Sequence, residues 1–266
     1  MVLAGLSVAV TAAALVLGLI LPASGHSLTD RCPRTGAATG CGVAPRSVGG
    51  ADPGPVGRLY GSEVRRIPTS SRSVALTFNA AWDETGVETA LTVLRGRNVP
   101  ATFFLTGRFA ERHPGAARSM AAEHGIGNHS YSHPQFADLT RPEAEQEIMG
   151  ADRAIRRATG AVPLPLFRFP YSATTPEGIA QANELGFADI EFTTDTNGYL
   201  GTAGGMTVQK VVDRVVDALT PGAIVQMHVG TAQGHGPALD VQALPRIIDT
   251  IHAHGYRIID LRTVLE

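Results

Sequence analysis

With 266 residues, 44% of them hydrophobic and 17% charged, the chain carries enough apolar material for one sizeable core. Its 22 basic and 24 acidic residues leave a net charge of -2, which offers no broad cationic face for a phosphate backbone and argues against nucleic acid as a partner. One folded domain of about 200 residues is expected.

From Val2 to Ala23 the sequence is almost unbroken apolar, with Ser7 and Thr11 as mild exceptions. Residues 1–25 are read as a signal peptide or an N-terminal membrane anchor. Cleavage stays open, because the run has no Lys or Arg ahead of it and exceeds the roughly 7 to 15 residues usual for a signal core, while about 20 apolar residues suffice to span a bilayer. Export, with the protein secreted or anchored facing the cell wall, is the expectation in either case. Residues 26–57, ending in GGADPGPVG, show no apolar period and many chain breakers, the grammar of a flexible linker. Cys32 and Cys41 lie within it, and an oxidising compartment would permit a short-loop disulfide or leave two free thiols. The folded domain is placed at residues 58–266, as a monomer.

Within that domain short apolar runs alternate with amphipathic stretches. Strands are predicted at 73–78, 101–107, 125–129, 166–170, 187–192, 223–228 and 256–260. The stretch TRPEAEQEIMGADRAIRRATG opens on a capping-box pattern, Thr140 to Glu143, and stops at Gly160, which predicts a helix with Ala144, Ile148, Ala151 and Ile155 on one face. A second helix follows Thr175, with Pro176 at its first position and Gly186 as its stop. Two more carry the stripes Val208, Val211, Val212, Val215 and Leu244, Ile247, Ile248, Ile251. Alternating strands and helices, with strands apolar on both faces, imply a parallel sheet covered by helices. Seven such units without a Gly-rich phosphate loop suit an α/β fold of the irregular, TIM-like (β/α) barrel type better than an open doubly wound sheet, which is the alternative.

The unusual polar residues fall where strands end, the catalytic face of such a barrel. Asn79, Trp82, Asp83 and Glu84 follow the first strand, His129 and His133 the third, Arg168 lies on the fourth, Asp195 follows the fifth and His228 closes the sixth. Two imidazoles four residues apart in NHSYSHP can reach one divalent ion if the segment turns once, although a plain pair of surface or core histidines has the same spacing. Asp83 could complete a two-His, one-carboxylate set. His228 reads either as a satisfied core residue or as a general acid oriented by Asp195. Arg168 on an apolar strand needs an acceptor, and the acids of the first loop are its expected partners.

On LTFNAAW, HSYSH, RFPY, DTNGY and MH, taken in that order over residues 72–262, the chain resembles the polysaccharide deacetylase family, the NodB-homology group also called carbohydrate esterase family 4. The resemblance implies an irregular (β/α)7 barrel, a divalent metal with zinc as first candidate, and removal of acetyl groups from N- or O-acetylated polysaccharides such as peptidoglycan or chitin. Carried over by position, it makes His129 and His133 metal ligands, Arg168 an orienting residue, Tyr171 a contributor to the oxyanion site and His228 the general acid. Two departures stand out. Asn79 and Ala80 occupy the place of the family's paired aspartates, so the metal carboxylate is expected from Asp83 and the base from Asp83 or Glu84, with Asn79 holding a water or a substrate oxygen. Tyr199 stands where tryptophan is common, and Trp82 is either a packing residue or a sugar platform. A catalytically inactive glycan binder on the same fold, and a metal-dependent amidase for small amides, are the rival readings.

Overall fold

The computed structural model describes residues 54–231 and 239–266. Residues 1–53, with the signal or anchor segment, most of the linker and both cysteines, lie outside it, as do residues 232–238. Strands and helices alternate along the chain: β1 (Ser73–Ala80), α1 (Val87–Arg97), β2 (Thr102–Leu105), α2 (Gly107–Arg112), α3 (Pro114–Glu123), β3 (Gly125–Asn128), α4 (Arg141–Thr159), β4 (Leu166–Phe167), α5 (Pro176–Glu184), β5 (Ala188–Asp189), β6 (Thr194–Asp195), α6 (Val208–Asp217), β7 (Ala223–His228), α7 (Leu239–Ala253) and β8 (Arg257–Ile259). The helix signals act as written in the sequence. Thr140 and Glu143 form a reciprocal capping box on α4, and Thr175 and Thr207 accept the Gly178 and Lys210 N–H groups at the starts of α5 and α6.

All strand pairs within the sheet are parallel, in the order β5, β4, β3, β2, β1, β7, β6, with β8 also paired to β1. This nearly sequential winding, wrapped by helices, is the irregular (β/α) barrel and not an open doubly wound sheet. Each of the seven expected strands is present. The additional β6 is two half-buried residues long, too short to carry a period. No β5–β6 pairing closes the ring among the described residues. Instead the chain just before β1 lies across that seam, with Val64 bridging to Ile190 and Arg66 to Ala223.

All eight residues of β1 are buried, because both faces of the strand are covered. Val74, Leu76, Phe78 and Ala80 pack outward against Leu91, Leu94, Ile247 and Ile251 of the helices, whereas Ala75 joins Phe104, Leu166, Ile190 and Ile224 in the barrel interior. The period of two therefore aims Thr77 and Asn79 inward as well, and on β7 it aims Ile224, Gln226 and His228 inward. Val56, Leu59 and Ile67 belong to the same inner cluster, and a 3-10 turn spans Gly54–Leu59. The fold thus includes residues from Gly54, ahead of the boundary expected at residue 58.

Candidate active site

The inward residues at the C-terminal strand ends line a cleft of about 630 Å³. Asn79, Trp82, Asp83, His129, His133, Tyr171, Asp195, Tyr199 and His228 all contribute to its wall, so of the residues singled out in the sequence only Arg168 and Glu84 do not. Ser172, Asn197 and Gln226 line it too. Gln226 was legible in principle, as the polar residue sharing the inward face of β7 with His228.

The histidine loop after β3 is held from three directions. Glu147 of α4 accepts the Tyr131 and Ser132 N–H groups at 2.9 and 2.7 Å and the Ser132 hydroxyl at 2.7 Å. The Gly107 and Arg108 N–H groups, at the start of α2, donate to the Ser130 and Tyr131 carbonyls. Asn128 accepts the Ser130 N–H at 2.9 Å and donates to the Ile148 carbonyl. So clamped, the loop holds Ser130 and His133 in the left-handed region, at φ 66° and 63°. Tyr171, Ser172 and Asn197 share that conformation, so five of the six non-glycine residues with positive φ among the described residues belong to the cleft or its histidine loop. Such strain persists only where surrounding contacts enforce it.

The His129 and His133 rings meet edge to face, 4.8 Å between centroids. His129 Nδ1–H donates to the Arg168 carbonyl at 2.8 Å, which fixes its tautomer and leaves Nε2 free toward the cleft. Burial pushes the pKa of both imidazoles down, His129 far down with the neighbouring His133 adding to it, and His133 to about 4. Both are neutral at pH 7, as ligands must be.

Two imidazoles suit a divalent metal, but a third donor does not join them. Among the described residues no group of three His, Cys, Asp or Glu side chains converges as a metal site. Asp83 shares the cleft with them, where its Oδ1 accepts the Thr85 N–H at 3.0 Å and its carboxylate packs against Gly230, so that an added Cβ there would meet Oδ2 at 2.4 Å. Asp83 Oδ2 is nevertheless buried without a hydrogen-bond partner. Asn79 cannot stand in, because its Oδ1 accepts from Arg168 at 3.0 Å and its Nδ2 donates to Gln226 Oε1 at 3.1 Å.

Three expectations change. Arg168 does not reach the acids of the first loop. It is fully buried in the barrel, where it donates to the Ile190 and Glu191 carbonyls, Thr77 Oγ1 and Asn79 Oδ1, with its guanidinium 4.0 Å from the Phe104 ring centroid. Burial lowers its pKa to about 10, so it keeps its charge. Glu84 turns away from the cleft toward His113, 3.3 Å from Nδ1. Asp195 does not pair with His228: its carboxylate accepts from Gln226 Nε2 and from the Asn197 N–H, both at 2.9 Å. The carboxylate facing His228 Nδ1 is Asp240, at 3.7 Å, and the Tyr199 ring lies 4.5 Å from the imidazole on another side. Trp82 and Tyr171, 46% and 59% exposed, flank His133 at the rim with ring separations of 5.4 and 4.6 Å.

Residues 66–190 match the family described as polysaccharide deacetylase. A peptidoglycan-N-acetylglucosamine deacetylase of Bacillus cereus is 30% identical over 200 residues, covering 75% of this chain and 70% of its own length. A chitooligosaccharide deacetylase of Sinorhizobium fredii is 29% identical over 205 residues, 74% of this chain and 94% of its own. Among solved structures, a carbohydrate esterase family 4 pseudoenzyme from Bacillus anthracis superposes with a TM-score of 0.70 at 27% identity, covering 78% of this chain and 70% of that one. Sequence relatives and barrel geometry agree, and the chain belongs to the polysaccharide deacetylase family.

Proposed function

We propose that the cleft removes acetyl groups from an acetylated polysaccharide of the peptidoglycan or chitin type. The observation that carries this reading is the convergence of His129, His133, Asp83 and His228 on one cleft rimmed by two exposed aromatic rings. Trp82 and Tyr171 offer flat apolar faces on which sugar rings stack. Asp83, with a buried oxygen that lacks a partner, is the group in the cleft fitted to take a proton from an attacking water, and His228 the one fitted to return a proton to the leaving nitrogen. Arg168 acts from beneath, through Asn79. The family is in general metal-dependent, and His129 and His133 are the residues that would hold a divalent ion in this cleft, where it would polarise the acetyl carbonyl. The apolar N-terminus supports export, which puts a cell-wall or extracellular glycan within reach.

A second reading, a cell-wall glycan binder without chemistry, is favoured by one specific observation: position 79 offers the cleft an amide, tied to Arg168 and Gln226, and not a carboxylate. Acetate release from N-acetylglucosamine oligomers and peptidoglycan fragments, measured with and without added zinc next to binding of the same oligomers, separates the two. Deacetylation predicts release that falls at least about a hundredfold in His228→Ala and in Asp83→Ala with binding retained. Binding without release under every condition would establish the binder.

A further inference from the structure

Asp240 lies in the first turn of α7, 1% exposed, with polar contacts to Thr196 and to His228 of the cleft wall. Its Oδ2 accepts the backbone N–H of His228 at 3.0 Å and lies 3.7 Å from His228 Nδ1, an atom that has no hydrogen-bond partner of its own. Its Oδ1 accepts the Thr196 hydroxyl at 2.5 Å. A carboxylate so deeply buried is costly unless it answers a partner, and the side chain with a nitrogen still to satisfy is His228.

Gly198 makes the arrangement possible. It sits in the loop after β6, and a Cβ added there would lie 2.2 Å from Asp240 Oδ1 and 2.7 Å from Oδ2. Its φ is not in the left-handed region, so the backbone conformation does not demand glycine. Space does: the carboxylate of Asp240 fills the volume that any side chain at 198 would need. A helix on the far side of the strand end thus delivers to His228 a charge that the neighbouring loop, with Asp195 turned to Gln226 and Asn197, does not.

We infer that Asp240 is the positioning residue of His228, holding its ring with Nδ1 toward the carboxylate and Nε2 toward the cleft, and that Gly198 is the residue that admits it. The inference rests on the proposed role of His228 for its catalytic meaning, but the ring's orientation can be read without turnover.

The test uses the full chain with 15N-labelled histidine, the His228 signals being identified by their loss in His228→Gln. Long-range 1H–15N spectra above neutral pH are expected to show the Nδ1–H tautomer in the wild type and in Asp195→Asn, and a shift toward Nε2–H in Asp240→Asn. Gly198→Ala, which pushes the carboxylate aside without removing it, should give the same shift if Asp240→Asn does not fold. Where acetate release is measurable, Asp240→Asn lowers kcat about tenfold or more with KM within twofold, and Gly198→Asp combined with Asp240→Ala, which supplies the carboxylate from the loop side, recovers part of the loss. The wild-type tautomer persisting in both Asp240→Asn and Gly198→Ala, or a shift in Asp195→Asn alone, would overturn the inference. Tautomer shifts as expected in a protein that releases no acetate would uphold it while sinking the deacetylase reading.

Discussion

Arg168 is the most demanding single residue in the barrel, a guanidinium with no exposed surface that is satisfied by two carbonyls, a threonine hydroxyl and the Asn79 amide. Replacing it leaves those buried acceptors without their donor. Arg168→Met is therefore expected to lower the urea midpoint, at about 1 to 3 kcal/mol for a buried acceptor left unsatisfied. Glu147 shows the same logic on the histidine loop. In Glu147→Ala two amides and one hydroxyl lose their acceptor, with an expected loss of about 1 to 3 kcal/mol and faster hydrogen exchange at Tyr131 and Ser132. The residue types that bear chemistry were legible from the strand ends, since His129, His133 and His228 all reach the cleft where the motifs put them. Their partners were not. Asp195 follows a strand end as the pattern suggests yet faces Gln226, while Asp240 reaches His228 from a helix whose sequence stripe advertises only its apolar face. Side-chain pairing across separate elements depends on inward alternation and on local space, and neither is written in a motif.

Elements with strong ends were the most readable. The capping box of α4 is present atom for atom, with Glu143 accepting the Thr140 N–H at 2.8 Å. Thr140→Ala is accordingly expected to lower stability by about 1 kcal/mol, a fall in Tm of a few degrees by calorimetry with no change in the cleft. Elements without such ends carried little signal. In α3 only Ala117 and Met120 are buried, too sparse a stripe to stand out, and the six residues of α2 make less than two turns. The α7 helix begins at Leu239, ahead of the stripe that starts at Leu244, and it accommodates Pro245 within its second turn. Its early start is what brings Asp240 to β7, so the least legible part of the helix is the part with the most to do with the cleft.

Across the whole molecule the buried charge is unevenly matched. Asp189, the last residue of β5, and Glu191, two residues further on, are both fully buried, and burial, reinforced for Asp189 by the charge of Glu191, raises both pKa values, Asp189 to about 9. A carboxyl held protonated in the fold but ionised in the unfolded chain loses stability as pH rises between the two pKa values, here from 3.8 to about 9. Urea midpoints measured across that window should fall toward alkaline pH, and Asp189→Asn, which keeps a neutral amide in the same place, should flatten the slope and raise stability at pH 8. The sheet order carries a consequence for how the chain acquires this structure. β1 is the hub of the barrel, yet its partners β7 and β8 are the last strands in the sequence, and the seam beside Ile190 is closed by residues that precede β1. Contacts so distant along the chain make folding slow. Until the segment from Ala223 onward is present, β1, the longest of the described strands, keeps one bare edge, the kind of edge that templates aggregation. Fragments ending before Ala223 are expected to be insoluble for that reason, whatever the integrity of the histidine loop.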